Sequence, residues 1–546
     1  MSGQELQLCQ AMKPLKITDI VMDGKRDRHQ MNSNEQNAQP SDSEHVPMNL
    51  KVLPTSETMR QVAILRHLTF SHRSRVAVFI QLLFFTLCLP AGAYSLLTHE
   101  QLIDLTWKQS IVPLLLSRYP ALTPAQLEHA RAYAYGGCTI QDIGYYPFGD
   151  VSFSNLTHYV RSGDFVVNLF RNAGNADELA FAVGALSHYI GDTVGHSQAT
   201  NLAVPIEFPK LGMKYGTSVN YAEGKRQHVQ TEFAFDINEI AHRRVAPVHY
   251  LRHIGLQVPT QLLALAFYQT YGLEMDFSGT RGSRMNEKGY RFAVRNFIPR
   301  VAYAVTLVHR NREPVDPSIP ELAELQKEID MVAAENGWDQ YRRKAGIGTY
   351  SLAGLLIILP KIGPLKLVAV KGPTQHTEMQ YIRSVVRSTS ALQSVLARFT
   401  PPSTQTFAAN EGAPDKNPDP STSRPLLAKS NAQEILTRQS SDPRHPLPNR
   451  DLDTGDVVKP GGYPLTDETY ADLLHRLALR PTKPIPPAIK EDIQAYYANP
   501  NAPIVTKRDS VLWTQVETDL VTLGNIPTSD EPVPFPTYGD DVYTRP

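Results

Sequence analysis

From about residue 94 to residue 312 the apolar positions recur at three- and four-residue spacing, segment after segment, and the alternating pattern of a half-buried strand is rare. Thr98, with Gln101 three residues on, has the form of an N-cap opening a helix that carries Ile103, Trp107 and Ile111. Residues 124–135 predict a second helix. A Gly/aromatic loop follows, and residues 177–198 predict a third helix, apolar nearly all round in its first half and therefore buried. Residues 226–243, 259–271 and 290–308 predict three more, and periodicity returns over 465–523 with Tyr470, Leu473, Leu474 and Leu477 on one face. The expected class is all-α, a multi-helix bundle with a C-terminal helical extension.

The rest of the chain reads as punctuation around that bundle. Residues 76–93 hold no charge, follow Arg73 and Arg75, and end Leu-Pro-Ala-Gly-Ala. That is the form of a signal peptide, or else of a membrane anchor, and it predicts an exported protein, periplasmic or secreted. Residues 1–75 are polar and read as a disordered extension or a misassigned start. The bundle is assigned 94–312, and a helical extension 313–399 contains an apolar stretch at 345–360 that predicts a buried helix pair or a membrane-interface segment. Residues 400–449 read as a linker, 450–524 as a small helical module and 525–546 as a Pro-rich tail. Lys plus Arg and Asp plus Glu both number 54, so no net charge favours general capture of nucleic acid. Three cysteines, Cys9, Cys88 and Cys138, exclude a disulfide framework.

The chemistry lies on the predicted helices. His188, Asp192 and His196 stand at i, i+4, i+8, and each step of four turns about 400°, so the three form one drifting stripe. Unpaired polar groups on so apolar a helix are costly, and a divalent cation removes the penalty by taking their lone pairs. His228 and Glu232 repeat the i, i+4 spacing on the next helix, the spacing of helix-borne zinc sites. His99, Asp142 and His158 precede them as further N and O donors. Asp236, one turn past Glu232, is expected in an outer hydrogen bond or a core ion pair. His242, His249 and His253 lack partners at helical spacing and are expected to be structural. The acidic run 451–456 lacks the full ligand pattern of a calcium loop.

This order of donors resembles the zinc-dependent phospholipase C family, and is similar to the N-terminal catalytic domain of glycosylphosphatidylinositol-specific phospholipase D. The resemblance covers about residues 94–312. It implies a phospholipase C or zinc nuclease-like bundle with up to three zinc ions. Asp142, His158, His188 and Asp192 would hold one; His196, His228 and Glu232 a second; His99, Asp192 and the amine of a mature N-terminal Tyr94 the third. Tyr94 stands five residues before His99, where the family usually has a tryptophan further off. The implied activity is phosphodiester hydrolysis of phospholipid at a membrane surface, with zinc-activated water as nucleophile and Asp142 as general base. Tyr145, Tyr146 and Phe148 are expected either to line a head-group pocket or to pack the loop. The alternatives are a single-strand nuclease on the same scaffold, and a non-catalytic membrane-associated protein stabilised by zinc.

Overall fold

The computed structural model describes residues 96–145, 149–277, 287–308, 319–343, 349, 353, 372–398 and 445–529. The chain divides into two units, Met1–Ser74 and Arg75–Pro546, and every described residue lies in the second. Tyr94, Tyr146, Phe148, the run 76–93 and most of 345–360, 400–449 and 525–546 lie outside the described residues.

The fold is all-α. Among the described residues the only β pairings are two isolated bridges, Arg450 with Val457 and Ile485 with Thr528. The helices that matter for the site are α1 (Leu96–Thr106), α2 (Pro124–Gly137), α3 (Val151–Tyr159), α4 (Ser162–Asn172), α5 (Ala176–Gly195), α6 (Tyr221–Ala241), α7 (Thr260–Tyr271), α8 (Pro320–Glu335), α9 (Gln375–Ala397), α10 (Pro464–Ala478), α11 (Pro487–Tyr497) and α12 (Ser510–Asn525). Local chemistry starts several of them. Thr123 and Gln126 form a reciprocal capping box at α2, with Pro124 in the first turn. Asn220 and Glu223 do the same at α6. The Asn175 side chain accepts from the Glu178 amide at α5.

Helix α5 is the axis of the core. From Ala180 to Gly195 every residue is buried, and α1, α2, α4 and α9 pack around it. Two glycines set the approach of α2. A Cβ on Gly184 would stand 2.2 Å from the Ala134 carbonyl oxygen, and one on Gly137 would stand 2.0 Å from that of Phe181. Both obstacles are backbone, so neither can swing aside. Gly184→Ala is therefore expected to force α2 and α5 apart and cost at least about 2 kcal/mol. A denaturant midpoint unchanged from wild type would contradict that packing.

Two distant segments complete the core. On α9, the Tyr381 ring stacks on Phe235 at 4.6 Å, and its hydroxyl shares a 2.8 Å hydrogen bond with Thr98. Arg244, buried, bridges Glu239 at 2.6 Å and Glu378 of α9 at 2.7 Å. The C-terminal helices lean on the other side. Tyr470 of α10 stacks on Tyr496 of α11 at 3.7 Å, and Arg476 donates to the Ser152 hydroxyl in the first turn of α3. Residues 445–449, expected in a linker, are packed: the Pro448 carbonyl accepts from the Tyr189 hydroxyl at 2.6 Å, and His445 meets Asp164 at 2.8 Å.

Candidate metal centre

Helix α1 presents His99 from its first turns. Thr98 was expected to cap this helix, but the helix already runs from Leu96, and Asp236 of α6 supplies the acceptor instead. The Asp236 carboxylate accepts from the Leu97 amide at 3.0 Å, the Thr98 amide at 3.2 Å and the Thr98 hydroxyl at 2.9 Å. It thus satisfies first-turn N–H groups and places negative charge at the positive end of the helix. Asp142 sits in a single 3-10 turn, Gln141–Tyr145, and His158 near the end of α3. α5 carries His188 and Asp192, and passes at His196 into a π-helical turn, His196–Thr200, a widening often found at functional sites. His228 and Glu232 share one face of α6.

These eight side chains come together in three groups: His99, His188 and Asp192; Asp142, His158 and His188; His196, His228 and Glu232. All eight are at most 3 % exposed. Asp192 turns one oxygen each way, Oδ1 to His99 at 3.3 Å, and Oδ2 to His158 at 3.3 Å and His188 at 3.2 Å. Asp142 Oδ1 lies 3.4 Å from His158 and 4.0 Å from His188. Glu232 Oε1 lies 2.8 Å from His228 and 3.5 Å from His196. The α5 stripe is thus divided, with His196 serving a group apart from His188 and Asp192.

Backbone carbonyls fix the rings. Nδ1 of His158 meets the Ser154 carbonyl at 2.7 Å, Nδ1 of His188 the Cys138 carbonyl at 3.0 Å, and Nδ1 of His196 the Leu452 carbonyl at 2.6 Å. A carbonyl only accepts, so each Nδ1 carries a proton and each Nε2 is the nitrogen turned inward, where it can give its lone pair to a metal. The Cys138 carbonyl reaches His188 because the glycines bring α2 onto α5. Inside, ring nitrogens therefore face carboxylate oxygens. Neither oxygen of Asp192, nor Asp142 Oδ1, nor Glu232 Oε1 receives a hydrogen bond.

Only a cation makes this arrangement tolerable, and it can be a proton or a metal. Burial disfavours a charged His158, but Asp142 and Asp192 outweigh it and raise the ring to about 10. Burial raises Glu232 to about 8, with His196 partly offsetting, and lowers His228 to about 4. Burial likewise lowers His99, helped by His188. Burial opposes ionisation of Asp192 as well, but His188, His158 and His99 hold it well below the usual carboxylate range. Separation favours the metal. Charged N–H···O bonds close to about 2.7–2.9 Å. Two donors on one tetrahedral zinc stand about 3.3–3.4 Å apart, and five of the seven separations above fall at 3.2–3.5 Å. An all-nitrogen-and-oxygen set of imidazoles and carboxylates suits zinc.

Metal loading must then expel the protons. At pH 7 the His158 proton and most of the Glu232 proton are bound before loading. Zinc titrations in buffers of differing ionisation enthalpy are expected to report release of between one and two protons per chain. Zero release would contradict the bound protons on His158 and Glu232.

Other residues behave as follows. Tyr145 lies 5.4 Å from the His158 ring, its hydroxyl bonded to Asn155. His242 bonds the Asn238 carbonyl and His253 faces Glu128, both away from the centre. Reading the sequence missed the 451–456 loop: Asp453 Oδ1 stands 3.9 Å from His196 Nε2. Its acidic composition was the available signal, but nothing in the spacing links it to α5, some 250 residues earlier.

Fold and centre define a class: helical proteins whose buried imidazoles and carboxylates are arranged to share metal cations. Residues 98–276 match the family described as zinc dependent phospholipase C, and all eight donors lie within that segment. The match spans a third of the chain, and leaves α8–α12 outside it. This segment is thus similar to the zinc-dependent phospholipase C family. No curated protein and no solved structure gives a match.

Proposed function

We propose that the protein is a zinc-dependent phosphodiester hydrolase acting on phospholipid. The observation that carries this reading is the convergence of the eight buried donors into three groups inside the matched segment. His99 and Asp192, Asp142 with His158 and His188, and His196 with His228 and Glu232 would hold the zinc, up to three ions. Tyr94, outside the described residues, would complete the His99 group if its amine is freed by cleavage after residue 93. Zinc held there supplies positive charge for phosphoryl oxygens and lowers the pKa of water. Asp142, whose Oδ1 faces His158 and His188, would hold zinc and also serve as general base for an attacking water. The carbonyls of Ser154, Cys138 and Leu452 keep the rings from turning, which preserves the geometry through the reaction. Tyr145, beside His158, borders the space where a head group would sit. Export follows from 76–93 as a cleaved signal. Among the described residues no helix is long and apolar enough to cross a membrane.

The test uses zinc-loaded protein on phosphatidylcholine vesicles and, separately, on single-stranded DNA. Release of phosphocholine with diacylglycerol is expected, abolished by a chelator. Choline with phosphatidic acid would instead mark D-type cleavage. Cleavage of DNA alone would favour the nuclease, and bound zinc with neither activity would leave zinc a stabilising role only.

A further inference from the structure

The loop at 451–456 is built against the metal centre, although it lies far outside the matched segment. It closes on itself: the Asp451 amide donates to the Asp456 carbonyl at 2.9 Å, and the Gly455 amide to the Asp451 carbonyl at 2.8 Å. Gly455 has φ of +77°, and a Cβ there would stand 2.7 Å from the Thr193 carbonyl oxygen, next to Asp192 on α5. Both the left-handed conformation and the close approach require glycine. The Leu452 amide donates to the His158 carbonyl at 3.1 Å, and the Leu452 carbonyl accepts from His196 Nδ1. The Asp453 carbonyl accepts from Asn201 at 2.8 Å, just past the π-helical turn that starts at His196.

The Asp453 side chain is held by one oxygen only. Oδ2 accepts from the Tyr159 hydroxyl at 2.9 Å and the Tyr463 hydroxyl at 2.6 Å. Oδ1 is turned to His196 Nε2 at 3.9 Å. At that separation the two atoms are too far apart for a hydrogen bond, yet close enough to share a cation. The His196 group has three protein donors, one short of a closed tetrahedral set. From 3.9 Å, a shift of Oδ1 toward His196 by about half an ångström gives the His196–Asp453 separation expected of two donors on one zinc, with the carboxylate turned toward His228 and Glu232.

We propose that Asp453 is the fourth protein donor to the His196–His228–Glu232 group, so that a C-terminal loop outside the matched domain completes the metal centre. This rests on the zinc reading of the preceding section. One loop then does two things for one ion: Leu452 fixes the ring of His196, and Asp453 supplies a carboxylate beside it. It also makes the C-terminal module part of the site and not an appendage.

The decisive experiment is an anomalous-difference map at the zinc edge from crystals of the zinc-loaded full chain. Zinc is expected at the His196 group with Asp453 Oδ1 about 2.0–2.2 Å away. Zinc at that group with Oδ1 beyond about 3 Å overturns the proposal while leaving the parent reading intact. Absence of zinc from all three groups overturns both. In solution, Asp453→Asn keeps an oxygen for the two tyrosines, and is expected to weaken zinc binding at one site at least tenfold in chelator competition. A purely structural role would instead lower the melting temperature of the metal-free protein and leave zinc affinity unchanged, which would overturn the assignment.

Discussion

Asp192→Asn is expected to empty two of the three donor groups together and to lower phosphodiesterase activity by at least about a thousandfold. The size follows from position. Asp192 addresses His99 through Oδ1, and His158 with His188 through Oδ2, so its two oxygens serve different groups. Asparagine keeps the volume but removes the charge and turns an N–H₂ toward ring nitrogens that offer only lone pairs or would compete for the same cation. Outer partners of metal ligands typically contribute about 10–100-fold to affinity or activity, and a shared donor must exceed that. Zinc counted by mass spectrometry and activity on vesicles should fall in parallel, with the far-UV circular dichroism retained. Full zinc content in the variant would remove Asp192 from its bridging role.

Chelation is expected to lower the melting temperature by about 8–16 °C for each site held at a thousandfold above its dissociation constant. That range combines about 4.1 kcal/mol of linkage stabilisation with about 2–4 °C per kcal/mol for a domain this size. The drop should also depend on pH, and the sign can be worked out. In the metal-free protein His158 is raised to about 10, so the stability its proton confers is complete below about 6.5 and is lost as pH rises through 10. Glu232, raised to about 8, keeps its proton when the unfolded chain has already released it, so stability also falls between about 4.5 and 8. Both push the same way, whereas His99 and His228, lowered by burial, act in the opposite sense below about 6.5. The gap between zinc-loaded and metal-free melting temperatures should therefore widen from about pH 6.5 to about pH 8. Calorimetry showing a gap that narrows over that interval would contradict the protonation states assigned to the centre.

How much of this was legible in the chain depends on range. His188, Asp192 and His196, and His228 with Glu232, were visible because helical periodicity puts residues four apart on one face, and the two helices proved to be neighbours in the core. Asp142 and His158 were visible only as N and O donors on other segments, without a shared spacing, and the fold brings them to within 3.4 Å of each other. Thr98 shows where a local rule gives way. It has the residue type of a cap, yet the acceptor for the first turn of α1 comes from Asp236, 138 residues on. No window of neighbouring residues contains that contact. The carbonyls of Ser154, Cys138 and Leu452 were invisible for another reason: every residue has a carbonyl, so composition carries no mark of which ones orient a ring.

The same holds for the segments beyond residue 312. The sequence pattern around 375–397 predicts nothing about Tyr381 reaching Thr98, because the contact is fixed by tertiary packing of α9 on α1 and α5. The 451–456 run failed the calcium pattern, and its acidity serves a different purpose, placing one carboxylate beside His196.

The central claim is that eight buried donors exist to hold zinc. Native mass spectrometry of the full chain, purified without added metal, tests it most directly. Two or three zinc ions per chain, one for each donor group that is complete, removable by chelation and restored by zinc alone, is the predicted result. A folded protein that carries no zinc and takes up none would contradict it.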